Sequence, residues 1–164
     1  MARAYFRTAD TDWLPFYSNE RGVGLNMANG FTDVLLIQCF LKAVLEGNRQ
    51  LWGIQWTRPS GPGLAITGVW DAASKSYLKH WEDLQVRWKM KERGNTTGGT
   101  TIPGTVVPYS QGGKKIVWMN AQILAMYGKT DYIICVWGSV ALPLDLTKQL
   151  VTTQPQRPHL DVIL

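Results

Sequence analysis

"GLAITGVWDAASKSYLKHWEDLQ", residues 63–85, sets a glycine bend and a tryptophan directly ahead of an amphipathic helix. Gly68 permits the positive backbone torsion of a tight bend. Asp71 is placed to accept the free amides of a helix start, and Ala72 and Ala73 open a strong helical run. Tyr77, Leu78, Trp81, Leu84 and Trp88 recur at helical spacing and define a buried face. Lys75, Lys79, Glu82, Asp83 and Arg87 cover the other side, with Lys79/Asp83 and Asp83/Arg87 one turn apart. The basic run from Arg87 to Arg93 alternates with apolar residues and closes this helix. It reads as a solvated face with favourable C-terminal charge rather than as a nucleic-acid contact.

Upstream, "FTDVLLIQCFLKAVLEG" (31–47) predicts a second helix, capped by Thr32 or Asp33 and stopped by a left-handed Gly47. Gln38, Lys42 and Glu46 repeat every four residues, one narrow wet stripe on an otherwise apolar cylinder, so this helix belongs near the centre of the fold. Residues 1–30 read as an irregular arm rich in aromatic and turn residues, and Asn48 to Leu64 as a long loop carrying two large rings. Beyond the helix at 72–93, GNTTGGTTIPG (94–104) reads as a linker and TVVPYS (105–110) as a short extended piece. IVWMNAQILAMYG (116–128) predicts a third helix ending at Gly128, and DYIICVWG (131–138) a strand. LPLDLTKQLV (142–151) adds a final helical turn or two, with Pro143 tolerated at its start, and the tail is broken by proline. The expected class is mainly α (α+β): a helical domain over 31–93, an arm over 1–30, and a C-terminal extension over 94–164 holding a helix and a short β element.

A chain of 164 residues, 45% apolar and 18% charged, can bury a core and fold without a partner. Its 17 basic against 12 acidic residues give a net charge of +5, a weak attraction to anionic surfaces. Cys39 and Cys135 both lie in apolar runs and are open to two readings, buried thiols or a disulfide. The N-terminus has no continuous apolar core of the Sec signal type, and the longest apolar run, Val34 to Leu45, falls short of the ~20 residues a membrane span needs.

Asp33-Val34-Leu35-Leu36-Ile37-Gln38-Cys39-Phe40-Leu41, followed by Thr67-Gly68-Val69-Trp70-Asp71 and then Ser74, Tyr77, Leu78, Trp81 and Glu82, resembles the small helical peptidoglycan-binding domain of bacterial and phage lytic proteins. That family carries a first helix of the form D-V-x-x-L-Q-x-x-L, a D-G-x-aromatic-G turn and a helix with T-x-x-A-V-x-x-F-Q. Thr67 stands where the family has Asp, Asp71 where it has the second Gly, and Glu82 where it has Gln. The likeness covers residues 31–85, about a third of the chain. It implies a three-helix peptidoglycan-binding-like bundle and a non-catalytic protein whose partner is bacterial cell-wall peptidoglycan. The alternative is a structural or adaptor subunit of a phage tail or contractile injection apparatus, which reuses the fold to dock protein subunits. Wall binding without an export signal implies release by lysis, by a secretion machine or in a phage-like particle.

Glycan recognition needs rings free to stack on sugar faces beside groups that bond hydroxyls or carboxylates. Trp52, Trp56 and Arg58 in the long loop offer that set, their other reading being a roof over the core. Trp70 joins them as a candidate ligand contact, with core packing as its other reading, shared with Trp81 and Trp88. His80 and His159 are the only histidines and form no metal-ligand spacing, Glu82 and Asp83 point in different directions around their helix, and no GxxxxGK[ST] loop occurs. The expectation is therefore no enzyme, no metal and no cofactor.

Overall fold

The computed structural model describes residues 2–7, 14–93, 102–133 and 136–152. Its centre is helix α1 (Phe31–Glu46), in which every residue from Thr32 to Leu41 is buried. A helix apolar on all sides is stable only when surrounded. Here α1 touches α2 (Ala72–Arg93), α3 (Lys114–Ile133) and α4 (Leu144–Thr152). The predicted wet stripe is instead an internal seam, because Gln38 is 0% exposed and the segment ahead of α2 lies across it. Both predicted ends of α1 also shift. Gly30 occupies the N-cap with no side-chain bond, while the Asp33 carboxylate accepts the Glu20 amide at 2.8 Å. The left-handed residue at the other end is Asn48 (φ 48°), not Gly47 (φ −64°). Gly47 serves close approach: a Cβ there would lie 2.5 Å from the Tyr127 hydroxyl, which donates to the Ala43 carbonyl at 2.6 Å.

Helix α2 starts as its sequence predicts. The Asp71 carboxylate accepts the Ser74 amide at 2.8 Å and the Ser74 hydroxyl at 2.7 Å, and Gly68 has φ 74°. Tyr77, Leu78, Trp81 and Leu84 are buried in the same core as Val34 to Leu45, so the two helices form one packed pair. Lys79 and Asp83 pair at 2.9 Å on the outer face. Glu82 departs from that face and forms an ion pair with Lys115 of α3, inside the protein.

Much of the expected loop from Asn48 to Leu64 is a hairpin, β4 (Arg49–Leu51) against β5 (Ile54–Trp56), closed in register Leu51↔Ile54. Trp52 and Gly53, with φ 54° and 72°, make the two-residue turn, and positive φ at both central positions is the type I′ signature. Asn or Asp ordinarily fills the first of these positions, so a tryptophan there hides the hairpin from sequence inspection.

The expected irregular arm is also ordered into strands. β1 (Arg3–Arg7) pairs antiparallel with β2 (Leu14–Ser18), and β3 (Val23–Gly24) pairs with β6 (Thr105–Val106). Asn120 of α3 holds the outer edge of β2: its Oδ1 accepts the Tyr17 amide at 2.9 Å and its Nδ2 donates to the Tyr17 carbonyl at 2.8 Å. A side-chain amide thus replaces a further strand. α3 is interrupted at Gly128 (φ 81°, ψ 171°), where the third helix was expected to stop, and then resumes to Ile133. The stretch 131–138, expected as a strand, is therefore helical at its front, and among its described residues Val136–Trp137 (β7) pairs with Val140–Ala141 (β8). α4 follows Pro143, whose carbonyl accepts the Thr147 amide at 2.9 Å. Ala2, Tyr17 and Val23, the faces of α1 and α2, and Ile116 through Leu150 all enter one hydrophobic core. The arm, the central helices and the extension all contribute to it. Cys39 is fully buried; Cys135, most of the 94–104 linker and the tail from 153 lie outside the described residues.

Candidate functional site

The four residues singled out from the sequence are dispersed. Trp56 is 0% exposed and its indole N–H donates to the Leu51 carbonyl at 3.1 Å, so it roofs the core and has no face to offer a ligand. Arg58 is exposed and stands with Glu46 beside Gly63, at the C-terminal end of α1. Trp70 is partly buried against the core, its indole N–H enclosed without an acceptor among the described residues. Trp52 sits at the hairpin tip against Trp88, with ring centroids 5.1 Å apart, and against Trp118 at 6.3 Å. Trp70 precedes the first turn of α2 and Trp88 lies near its far end, about 24 Å along the axis at ~1.5 Å per residue. One ligand-sized site cannot use both.

The Gly68 bend is held by α1. Gln38 Oε1 accepts the amides of Thr67 and Gly68, both at 2.9 Å, and its Nε2 donates to the Val69 carbonyl and the Ser74 hydroxyl, both at 2.9 Å. Two turns on, the Glu46 carboxylate receives Lys42 at 2.7 Å, the Leu64 amide at 2.6 Å and the Tyr77 hydroxyl at 2.8 Å. Burial alone would raise the Glu46 carboxyl, but these donors outweigh it and hold it below its ordinary value. Burial, then the carboxylate beside it, pushes Tyr77 up to about 12. This seam fastens the segment 64–74 to α1 and leaves no polar atom of Gln38 for a ligand.

A groove of about 550 Å³ opens between α2 and α3, within the range of small-molecule sites. Trp81, Glu82, Gln85, Val86, Lys115 and Trp118 line it, with the exposed Lys79 and Asp83. Lys115 donates to Glu82 and to the carbonyls of Ile102 and Thr105, both at 2.7 Å, while Glu82 also accepts the Gly104 amide at 2.9 Å. These bonds tie the segment leading into β6 to both helices and fix one end of the groove. Trp118 meets Trp88 edge-on at 4.9 Å, so the groove wall continues into the Trp52–Trp88–Trp118 cluster. All three of these rings are only partly buried.

Gln85 is the other unusual residue. It is 5% exposed, and neither its amide oxygen nor its amide nitrogen has a hydrogen-bond partner among the described residues. Gln122 nearby accepts the Trp81 indole N–H at 2.8 Å, and its own Nε2 is likewise unsatisfied. Helical spacing places Trp81 and Trp88 on a buried face and marks neither Gln85 nor Trp118; Trp88 is in fact only partly buried. The available signal was a glutamine on the apolar stripe of α2, one turn after Trp81 and one before Trp88.

No helix among the described residues is long and apolar enough to cross a membrane. The chain matches no family model, no curated protein and no solved structure.

Proposed function

We propose that this protein binds bacterial cell-wall peptidoglycan without transforming it, and that the groove between α2 and α3 is the contact surface. The observation that carries the reading is the partly open indole of Trp118 in a groove also lined by Gln85, whose buried amide has no partner among the described residues. A sugar ring presents an apolar face and a polar edge, which an indole and an amide match respectively. The packing of α1 on α2 through the Gln38-held bend supports the resemblance to a peptidoglycan-binding bundle, with α3 as its third helix. Glu82, the less exposed of the two carboxylates in the groove, is engaged by Lys115 and the Gly104 amide, which suits a structural role better than acid-base chemistry.

Retention on purified sacculi tests this. Trp118→Ala is expected to weaken retention about tenfold, the equivalent of ~1.4 kcal/mol, and Arg58→Ala to leave it unchanged. Equal retention of wild type and Trp118→Ala removes the groove from the reading, and a cleared band on a cell-wall gel removes its non-catalytic part. A second reading, a docking subunit of a phage-like or injection assembly, draws on the exposed Phe31 (53%) and Val69 (62%) beside the Gly68 bend. Stable self-association abolished by Val69→Ser, with no retention on sacculi, selects it.

A further inference from the structure

We infer that Trp52 carries the groove out to the hairpin tip as a second contact for the same glycan strand, and that the left-handed turn there is retained because it holds this ring in place. The inference rests on the wall-binding reading for the nature of the polymer.

The first observation is a backbone outlier. Trp52 has φ 54° at the leading central position of the β4–β5 turn, where Asn, Asp or Gly is the favourable choice. A bulky side chain is uncommon in that region, because its Cβ crowds the adjoining carbonyl. Such residues persist where the surrounding structure holds them, and they concentrate at ligand contacts.

The hairpin is fastened at its base by contacts that do not involve the tip ring. Trp56 is 0% exposed, and Leu51 and Ile54, on either side of the turn, pack against the core. The Arg49 guanidinium donates to the Met126 carbonyl at 2.5 Å and lies 4.5 Å from the centre of the Tyr127 ring, which ties β4 to α3. Asn at the tip would suit the turn better than Trp, so turn formation does not account for the residue found there.

The second observation is where the ring stands. Trp118, in the groove wall, lies 6.3 Å from Trp52 with the ring planes 82° apart, and Trp88 props both, at 4.9 and 5.1 Å. Each of the three keeps part of its surface in solvent. Adjacent, partly open indoles suit a ligand that repeats an apolar face along its length, as a chain of sugar rings does. The ionic side chains lining the groove pair off, Lys115 with Glu82 and Lys79 with Asp83. A single-stranded nucleic acid, which binds by neutralising its phosphates, finds no uncompensated cation among them, and a neutral glycan backbone needs none.

Calorimetric titration of the full chain with the trimer and the hexamer of β-1,4-linked N-acetylglucosamine, uncharged stand-ins for the wall glycan, tests the extension. Trp118→Ala is expected to weaken both sugars. Trp52→Asn is expected to weaken the hexamer about tenfold and leave the trimer unchanged, and Trp52→Phe, which keeps a ring, to recover part of that loss. Because Asn fits the turn, the urea midpoint of Trp52→Asn is expected not to fall. A lowered midpoint marks Trp52 as a packing element and overturns the inference; so does hexamer affinity that survives in Trp52→Asn, an equal loss for the trimer, or no binding of either sugar. Sacculus retention that depends on Trp118 but not on Trp52 sinks this inference and spares the groove. If wild type is not retained on sacculi and instead binds a thymidine oligonucleotide through Trp52, both the wall-binding reading and the glycan assignment fall.

Discussion

Gln38 is 0% exposed, yet both its amide oxygen and its amide nitrogen are engaged, by Thr67, Gly68, Val69 and Ser74. Replacing it with Leu leaves the Thr67 and Gly68 amides without partners, while the Val69 carbonyl keeps the Asp71 amide at 3.0 Å. At ~1–3 kcal/mol per orphaned group, partly relieved by water, Gln38→Leu should cost about 2–4 kcal/mol in urea denaturation. A second residue-scale expectation concerns alkali. The folded value of about 12 for Tyr77 lies above its ordinary 10.0, so the neutral phenol is the form the fold favours. Its stabilisation is complete below pH 10 and is lost as pH rises toward 12. Tyr127, raised by burial, has the same sign, so Tyr77→Phe should make the alkaline decline in thermal midpoint shallower without abolishing it. Asp71 and Gly68 were legible in the sequence because a cap and a bend act on their neighbours. Gln38 was not, since its partners lie 29 to 36 residues away and a polar residue every fourth position has the same signature as a wetted face.

At the scale of elements, sequence patterns identified α2 and most of α1, α3 and α4, whose apolar periodicity is long enough to outweigh local ambiguity. The hairpin β4–β5 escaped because Trp52 takes a left-handed turn position that glycine or asparagine usually marks. The groove escaped for a different reason. It belongs to neither α2 nor α3 alone, and Trp81, Gln85 and Trp118 acquire meaning only when the helices are set side by side. That pairing depends on Lys115 and Glu82, whose side chains are only 6% and 17% exposed. Removing one partner strands the other in the interior, so Glu82→Gln should destabilise the protein by about 3 kcal/mol in chemical denaturation. The same variant should blue- or red-shift the emission of the tryptophan cluster, because the Gly104 amide and the segment before β6 lose their anchor together.

For the molecule as a whole, the single core extends from Ala2 to Leu150 and recruits side chains from the arm, the central pair and the extension. Far-UV circular dichroism and tryptophan fluorescence should therefore report one coincident urea transition. Two separated transitions would show that the region beyond the linker folds by itself. The expected division at 30 and 93 followed composition, which changes sharply at the glycine-rich stretch. Composition does not register that Val106 pairs with Val23, or that Asn120 reaches Tyr17.

The bond between Asn120 and Tyr17, 103 positions apart, bears on biosynthesis. At ~5–20 residues per second, a ribosome emits Tyr17 roughly 5–20 s before the amide that will cover it. Through that interval the nascent hairpin carries a bare strand edge, the kind of surface that invites pairing with another chain. Crowded polysomes, where many copies wait at the same stage, are thus where that edge meets its copies at the highest local concentration.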